Sequence, residues 1–309
     1  MNIRNKTSIR TLGQLMVRDR YYFLMTLPLI LYYVIFRYLP LAGLSFAFTD
    51  FRPGGTLVNS AFVGLRWFRE FFSSIYFTRV VFNTVALSVL TLIFGFPIPI
   101  LFSLLLNEVR HSSFKRIIQT LSYLPHFISV VVVVGMLYNF LSPVNGIVNI
   151  LIDKLGGKPI NFLAEPNWFR PIYIISGVWQ SFGWESIIYI AAISSIDPQL
   201  YEAATIDGAN RWQMAWRVTF PSILPTMVIL LILNVGKLMS VGFEKIILMY
   251  SPPTYETADV ISTFVYRKGL VEARYSFGVA VDLFNSVINF LLVIGTNKFA
   301  KRLSDISLW

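Results

Sequence analysis

Ionisable residues stand inside long apolar runs at Arg37, Arg170, Glu185, Lys237, Glu244, Lys245 and Asp282. A charge at such a position is costly, so it marks a functional site by default. The most pointed of them is Glu185, which closes the stretch Trp179-Gln180-Ser181-Phe182-Gly183-Trp184-Glu185. Indole faces stack on sugar rings, and Gln180 and Glu185 can accept hydroxyl hydrogen bonds. The same stretch also reads as a Trp-rich packing layer. Lys237, next to Gly236, is expected mid-run, facing a polar path or pairing with Glu244 or Asp282. Arg170 and Lys245 stand near the ends of their runs, where long basic side chains reach up to the headgroups. This is a chemistry of recognition. The parts for bond breaking are missing: there is no GxxxxGK[ST] phosphate loop, no HExxH and no GxSxG. No cysteine and two distant histidines, His111 and His126, argue against a thiolate or transition-metal site.

The elements that must hold these residues are apolar and long. Of 309 residues, 55% are hydrophobic and only 14% charged, against about a quarter charged in soluble domains. The mean hydropathy is +0.63. The net charge of +10 therefore belongs to membrane-flanking loops and anionic lipid, not to nucleic acid. A spanning helix needs about 20 apolar residues. Six segments qualify, near 21–48, 83–107, 117–141, 168–193, 223–250 and 277–299, which predicts an all-α membrane protein. Basic residues 1–20 precede the first run, which is too long for a signal-peptide core. With both termini inside, the inner segments hold twelve Lys and Arg and the longer outer segments nine, so the termini are expected in the cytoplasm. Residues 49–82, rich in Phe and Trp, predict an amphipathic helix with its rings at the headgroups. The segment Pro143–Pro166 predicts a loop with one short helix.

The inner loop Ser194–Ser222 is ordered for structure. Asp197-Pro198 is a helix start, Gly208 a helix end, Asn210 a second cap, and Pro221 is expected to stop the second helix. A helix–Gly–helix knuckle results. Tyr201, Ala203, Ala204, Trp212 and Trp216 offer small and aromatic contact surface, while Glu202 and Asp207 offer carboxylates to a basic partner. The same composition suits a helix pair lying on lipid.

Glu202-Ala203-Ala204, three residues, Gly208, nine residues and Val218-Thr219-Phe220-Pro221 resemble the EAA loop of ABC importer permeases. The family pattern has Ile and Leu where this chain has Val218 and Phe220. Asp207-Gly208-Ala209 also fits. The Asn83-Thr84 opening of the second run and the six-run layout are similar to binding-protein-dependent permeases of the type I fold. Asn234–Tyr250, followed by Tyr255-Glu256-Thr257-Ala258-Asp259-Val260, looks like the oligosaccharide-uptake branch. The resemblance implies a non-catalytic subunit of a bacterial inner-membrane importer. Its implied partners are a second, homologous permease, two ATPase subunits and an extracytoplasmic solute-binding protein. ATP and Mg would sit on the ATPase and no cofactor on this chain. It implies that Tyr201, Glu202, Ala203, Ala204, Asp207, Gly208, Ala209 and Trp212 dock on the ATPase. The expected substrate path holds Trp179, Gln180, Trp184, Glu185, Lys237, Glu244 and Asp282. Five Lys and Arg in the runs against three acids suit uronate oligosaccharides, with neutral ones left open. An ABC permease for a non-sugar solute, a secondary transporter and a membrane enzyme are the rival readings.

Overall fold

A computed structural model describes residues 18–55 and 59–304. Helix dominates, as it must where backbone groups meet no water. Helix α1 is Arg20–Phe48, α2 is Arg66–Ser73 and α3 is Phe77–Asn107. Next come α4 (Ser112–Phe127), α5 (Val130–Phe140), α6 (Ile147–Lys154) and α7 (Pro166–Ser194). The chain closes with α8 (Pro198–Ile206), α9 (Arg211–Val235), α10 (Phe243–Met249) and α11 (Tyr275–Ser304). A two-strand ribbon pairs Thr49 with Phe62 and Asp50 with Ala61 in antiparallel register.

Among the described residues, α1, α3, α9 and the part of α11 up to Arg302 are long and apolar enough to cross a membrane. The pair α4 and α5 makes a fifth if counted as one broken element. The remaining expected run became α7, which has 29 residues but carries Arg170, Gln180, Ser181 and Glu185 along it.

Two expected continuous runs are broken. The third turns by 97° between α4 and α5, where α4 tightens to a 3-10 turn at Leu124–Phe127 and Ile128 and Ser129 are extended. Ser129 then restarts the helix by accepting from the Val132 N–H. The valine run Val130–Val134, β-prone in water, is helical here. The fifth run ends at Val235, followed by turns across 236–239, and α10 is a separate short helix. Amide side chains satisfy the freed backbone at both breaks. Gln180 of α7 donates to the Ile128 carbonyl at 2.8 Å. Asn289 of α11 accepts from the Met239 N–H at 2.9 Å and donates to Ser240 Oγ at 3.0 Å.

The aromatic segment 49–82 also differs from expectation. Trp67 and Phe71 of α2 are buried. Phe71 packs within about 6.4 Å of Phe77, Phe264, Phe277 and Phe284. These rings build a core with Ala47, Val80, Ala280 and Val281, because α2 folds down onto α11. Phe62 and Ile75 stay exposed. A second core joins α3, α7 and α10 through Leu87, Phe169, Ile174, Ile246 and Met249. In the 143–166 segment, Asn149 of α6 ties both ends: it donates to Ser142 O and Ile160 O at 2.9 Å each and accepts from the Ile160 N–H at 2.8 Å.

Candidate functional site

The knuckle forms from local capping. Asp197 Oδ1 accepts from the Gln199 N–H at 2.9 Å, and Pro198 occupies the first turn of α8. The helix ends at Ile206, and Gly208 takes φ +75°, the left-handed conformation that costs an L side chain about 1–2 kcal/mol. Asn210 starts α9 with a reciprocal box: its Oδ1 accepts from the Gln213 N–H at 2.9 Å, and its own N–H donates to Gln213 Oε1 at 2.8 Å. Pro221 does not stop the second helix. A π-helical stretch at Ala215–Thr219 leads straight into Phe220–Val235, so α9 runs unbroken from the knuckle into the bundle. The wider turn changes the register of backbone pairing ahead of Pro221, which has no N–H to give. Tyr201 Oη lies 2.9 Å from Thr219 Oγ1 and clips α8 to α9.

The surface of the knuckle is open. Glu202, Ala203, Asp207, Gly208 and Trp212 are exposed, while Tyr201, Ala204 and Ala209 are half-buried. Ile206 is 87% and Trp212 66% exposed. Trp212, Trp216 and Phe220 form an aromatic ladder with centroids 5.7 and 5.1 Å apart. Large apolar residues are thus exposed beside the carboxylates of Glu202 and Asp207.

The second site is a cavity of about 310 Å³ where α3, α7 and the break after α9 meet. Its polar lining includes Ser88, Gln180, Ser181, Glu185, Asn234, Lys237, Ser240 and Lys245. The structure thus brings Gln180, Glu185 and Lys237 to one cavity and places the other path candidates elsewhere. Trp179 lines a separate apolar recess with Leu90, Phe94 and Phe182. Trp184 stacks on His126 at 4.6 Å with parallel rings. Glu244 is exposed. Asp282 lines a recess between α1 and α11 with Pro40 and Gly278. Lys237 lies in the turn after α9, not mid-helix, and has no ion pair among the described residues.

Lys245 and Arg170 do not snorkel. Lys245 is 7% exposed, and its Nζ donates to the Tyr173 carbonyl at 3.1 Å. Reading α10 as the tail of one long run hid this: the break after Val235 turns Lys245 inward. Arg170 donates to Asn83 Oδ1 at 2.7 Å. Asn83 in turn donates to the Glu256 and Asp259 carbonyls at 2.9 and 3.0 Å. Asp259, fully buried, accepts from Arg79 at 3.1 Å, Arg267 at 2.7 Å and Thr263 Oγ1 at 3.0 Å. This node locks α3, α7 and segment 251–263 together. Asn83 and Asp259 were visible in sequence only as parts of a family pattern.

Comparison with known proteins shows the family of the chain. Residues 95–304 match the family described as binding-protein-dependent transport system inner membrane component. The polygalacturonan/rhamnogalacturonan transport system permease protein YteP of Bacillus subtilis is 41% identical, over 94% of this chain and 90% of that protein. Protein LplB of the same organism is 40% identical, over 92% and 90%. Among solved structures, a chain of the bacterial alginate ABC transporter in complex with its alginate pentasaccharide-bound periplasmic protein superposes with a TM-score of 0.89. It has 45% identity and covers 96% of this chain and 99% of its own. The chain, with its knuckle, its broken helices and its polar cavity, belongs to the family of inner-membrane permease components of binding-protein-dependent ABC transport systems.

Proposed function

We propose that this chain forms half of the translocation pathway of an ATP-driven importer of acidic, uronate-bearing oligosaccharides. One observation carries the cargo: over nine-tenths of its length the chain matches a permease named for polygalacturonan/rhamnogalacturonan and a chain of an importer of the acidic polysaccharide alginate. The cavity supports it, since Gln180, Ser181, Asn234 and Ser240 offer hydroxyl partners and Lys237 and Lys245 offer charge.

In this reading α1, α3, the α4–α5 pair, α7, α9 and α11 are six spans, with both termini cytoplasmic and the knuckle on the cytoplasmic side. The knuckle seats in a cleft of an ATPase subunit, with Glu202 facing a basic residue there. A second, homologous permease completes the pathway, and an extracytoplasmic solute-binding protein delivers the sugar. ATP and Mg belong to the ATPase pair, whose closure pulls the knuckle. Tyr201 and Thr219 hold α8 on α9 and α9 continues into the bundle, so the pull reaches the cavity without a flexible joint. Rotation of α7 and α9 would then switch the cavity from inward to outward access.

The test is sugar-stimulated ATPase and uptake by the reconstituted assembly, using matched uronate and neutral oligosaccharide series. Uronates should stimulate and enter. Uptake of neutral sugars alone sinks the acidic cargo; no uptake of any sugar sinks the carbohydrate reading.

A further inference from the structure

One group in the cavity is out of keeping with a neutral path. Lys245 is more than nine-tenths buried, yet it lines the cavity. Among the described residues its Nζ has one hydrogen-bond acceptor, the Tyr173 carbonyl at 3.1 Å, and it lies 5.1 Å from the Tyr173 ring centroid. It packs over bare backbone, since a Cβ on Gly177 would stand 3.5 Å from Nζ. No carboxylate lies within ion-pair distance of it among the described residues. Glu185 lines the same cavity but makes no such pair. An ammonium carries three donors, so two remain for a visitor. A buried, unpaired charge is unfavourable in an empty site and is compensated when an opposite charge arrives. The flanking Gln180, Asn234 and Ser240 would meet hydroxyls beside that charge.

We infer that Lys245 is the residue that reads the carboxylate of the passing sugar, setting the preference for uronates over neutral residues. This rests on the transport reading above. Lys237 lines the same cavity from an open turn and contributes less, because water screens it.

The experiment uses the complete reconstituted importer with its binding protein saturated. It compares uptake of a uronate oligosaccharide with that of its methyl ester, the same sugar with the carboxylate charge removed. Wild type should prefer the acid by about tenfold or more, well within what a site built to bond a polar group can reach. Lys245→Gln keeps a donor for the Tyr173 carbonyl, and its preference should shrink to about twofold or less. Lys245→Met, close in shape, gives a second reading if Gln fails to assemble. Because the readout is a ratio, reduced amounts of transporter cancel. A variant that assembles and retains the wild-type ratio overturns the inference while leaving the uronate importer intact. A wild type that imports no uronate overturns the cargo reading and this inference together.

Discussion

Gly208 and Glu202 separate two ways of disabling one surface. Gly208 holds φ +75° with nothing within 4 Å of where a Cβ would sit, so substitution there is a backbone effect alone. Gly208→Val should cost about 1–2 kcal/mol locally and reshape the knuckle, lowering ATPase-coupled uptake while the bundle still folds. Glu202 is exposed and makes no side-chain hydrogen bond or ion pair among the described residues. Glu202→Lys should leave expression and melting temperature unchanged and abolish coupling between ATPase activity and uptake. Wild-type uptake by that variant would remove the docking assignment. Asp259 is the opposite case, a buried carboxylate between two arginines. Asp259→Asn should destabilise by about 3 kcal/mol, the lower end for a broken buried pair, because Arg79 and Arg267 keep some contact with water. A thermal melt in detergent would measure it.

The packing of α7 on α4 depends on a bare backbone. A Cβ on Gly183 would lie 2.0 Å from the Ser122 carbonyl oxygen, and backbone cannot step aside as a side-chain tip can. Gly183→Ala should therefore push the helices apart and destabilise by about 1–3 kcal/mol. It should also loosen the bend, since Gln180, one turn away on α7, holds the Ile128 carbonyl. A substituted chain with an unchanged melt would refute the close approach. The two breaks share a logic. Each frees backbone groups, and an amide from a neighbouring helix, Gln180 or Asn289, takes them up. Breaks held in this way can line a cavity.

At the scale of the molecule, α1 is only partly held. Every residue from Arg20 to Tyr38 is exposed, and the helix packs on α11 through Leu39–Phe48. A helix this apolar lying off the bundle needs lipid or a second protein against it. The proposed second permease is the natural cover. The chain has no cysteine, so a single cysteine at Leu27 or Ile30 can report contact without background. Each should cross-link to the second permease when the two are co-expressed; labelling by lipid-phase reagents alone would place α1 in lipid instead.

The sequence alone determined the class of molecule. Apolar run length, low charge and the absence of catalytic motifs are additive properties of composition, and they need no tertiary information to read. Capping at Asp197 and Asn210 and the turn at Gly208 were legible for a related reason: the chemistry of a helix end is contained within about four residues. What the tertiary structure decided depends on contacts far apart in the chain. Whether a run of apolar residues stays one helix depends on which side chain can satisfy a freed carbonyl, and Gln180 is 52 residues from Ile128. Whether Pro221 ends a helix depends on the π-helical stretch ahead of it, where Thr219 meets Tyr201, 18 residues away. Whether Lys245 reaches headgroups or a cavity depends on a break ten residues earlier, after Val235. Hydropathy is blind to all three, because it sums the apolar character of a run and says nothing of the run's direction.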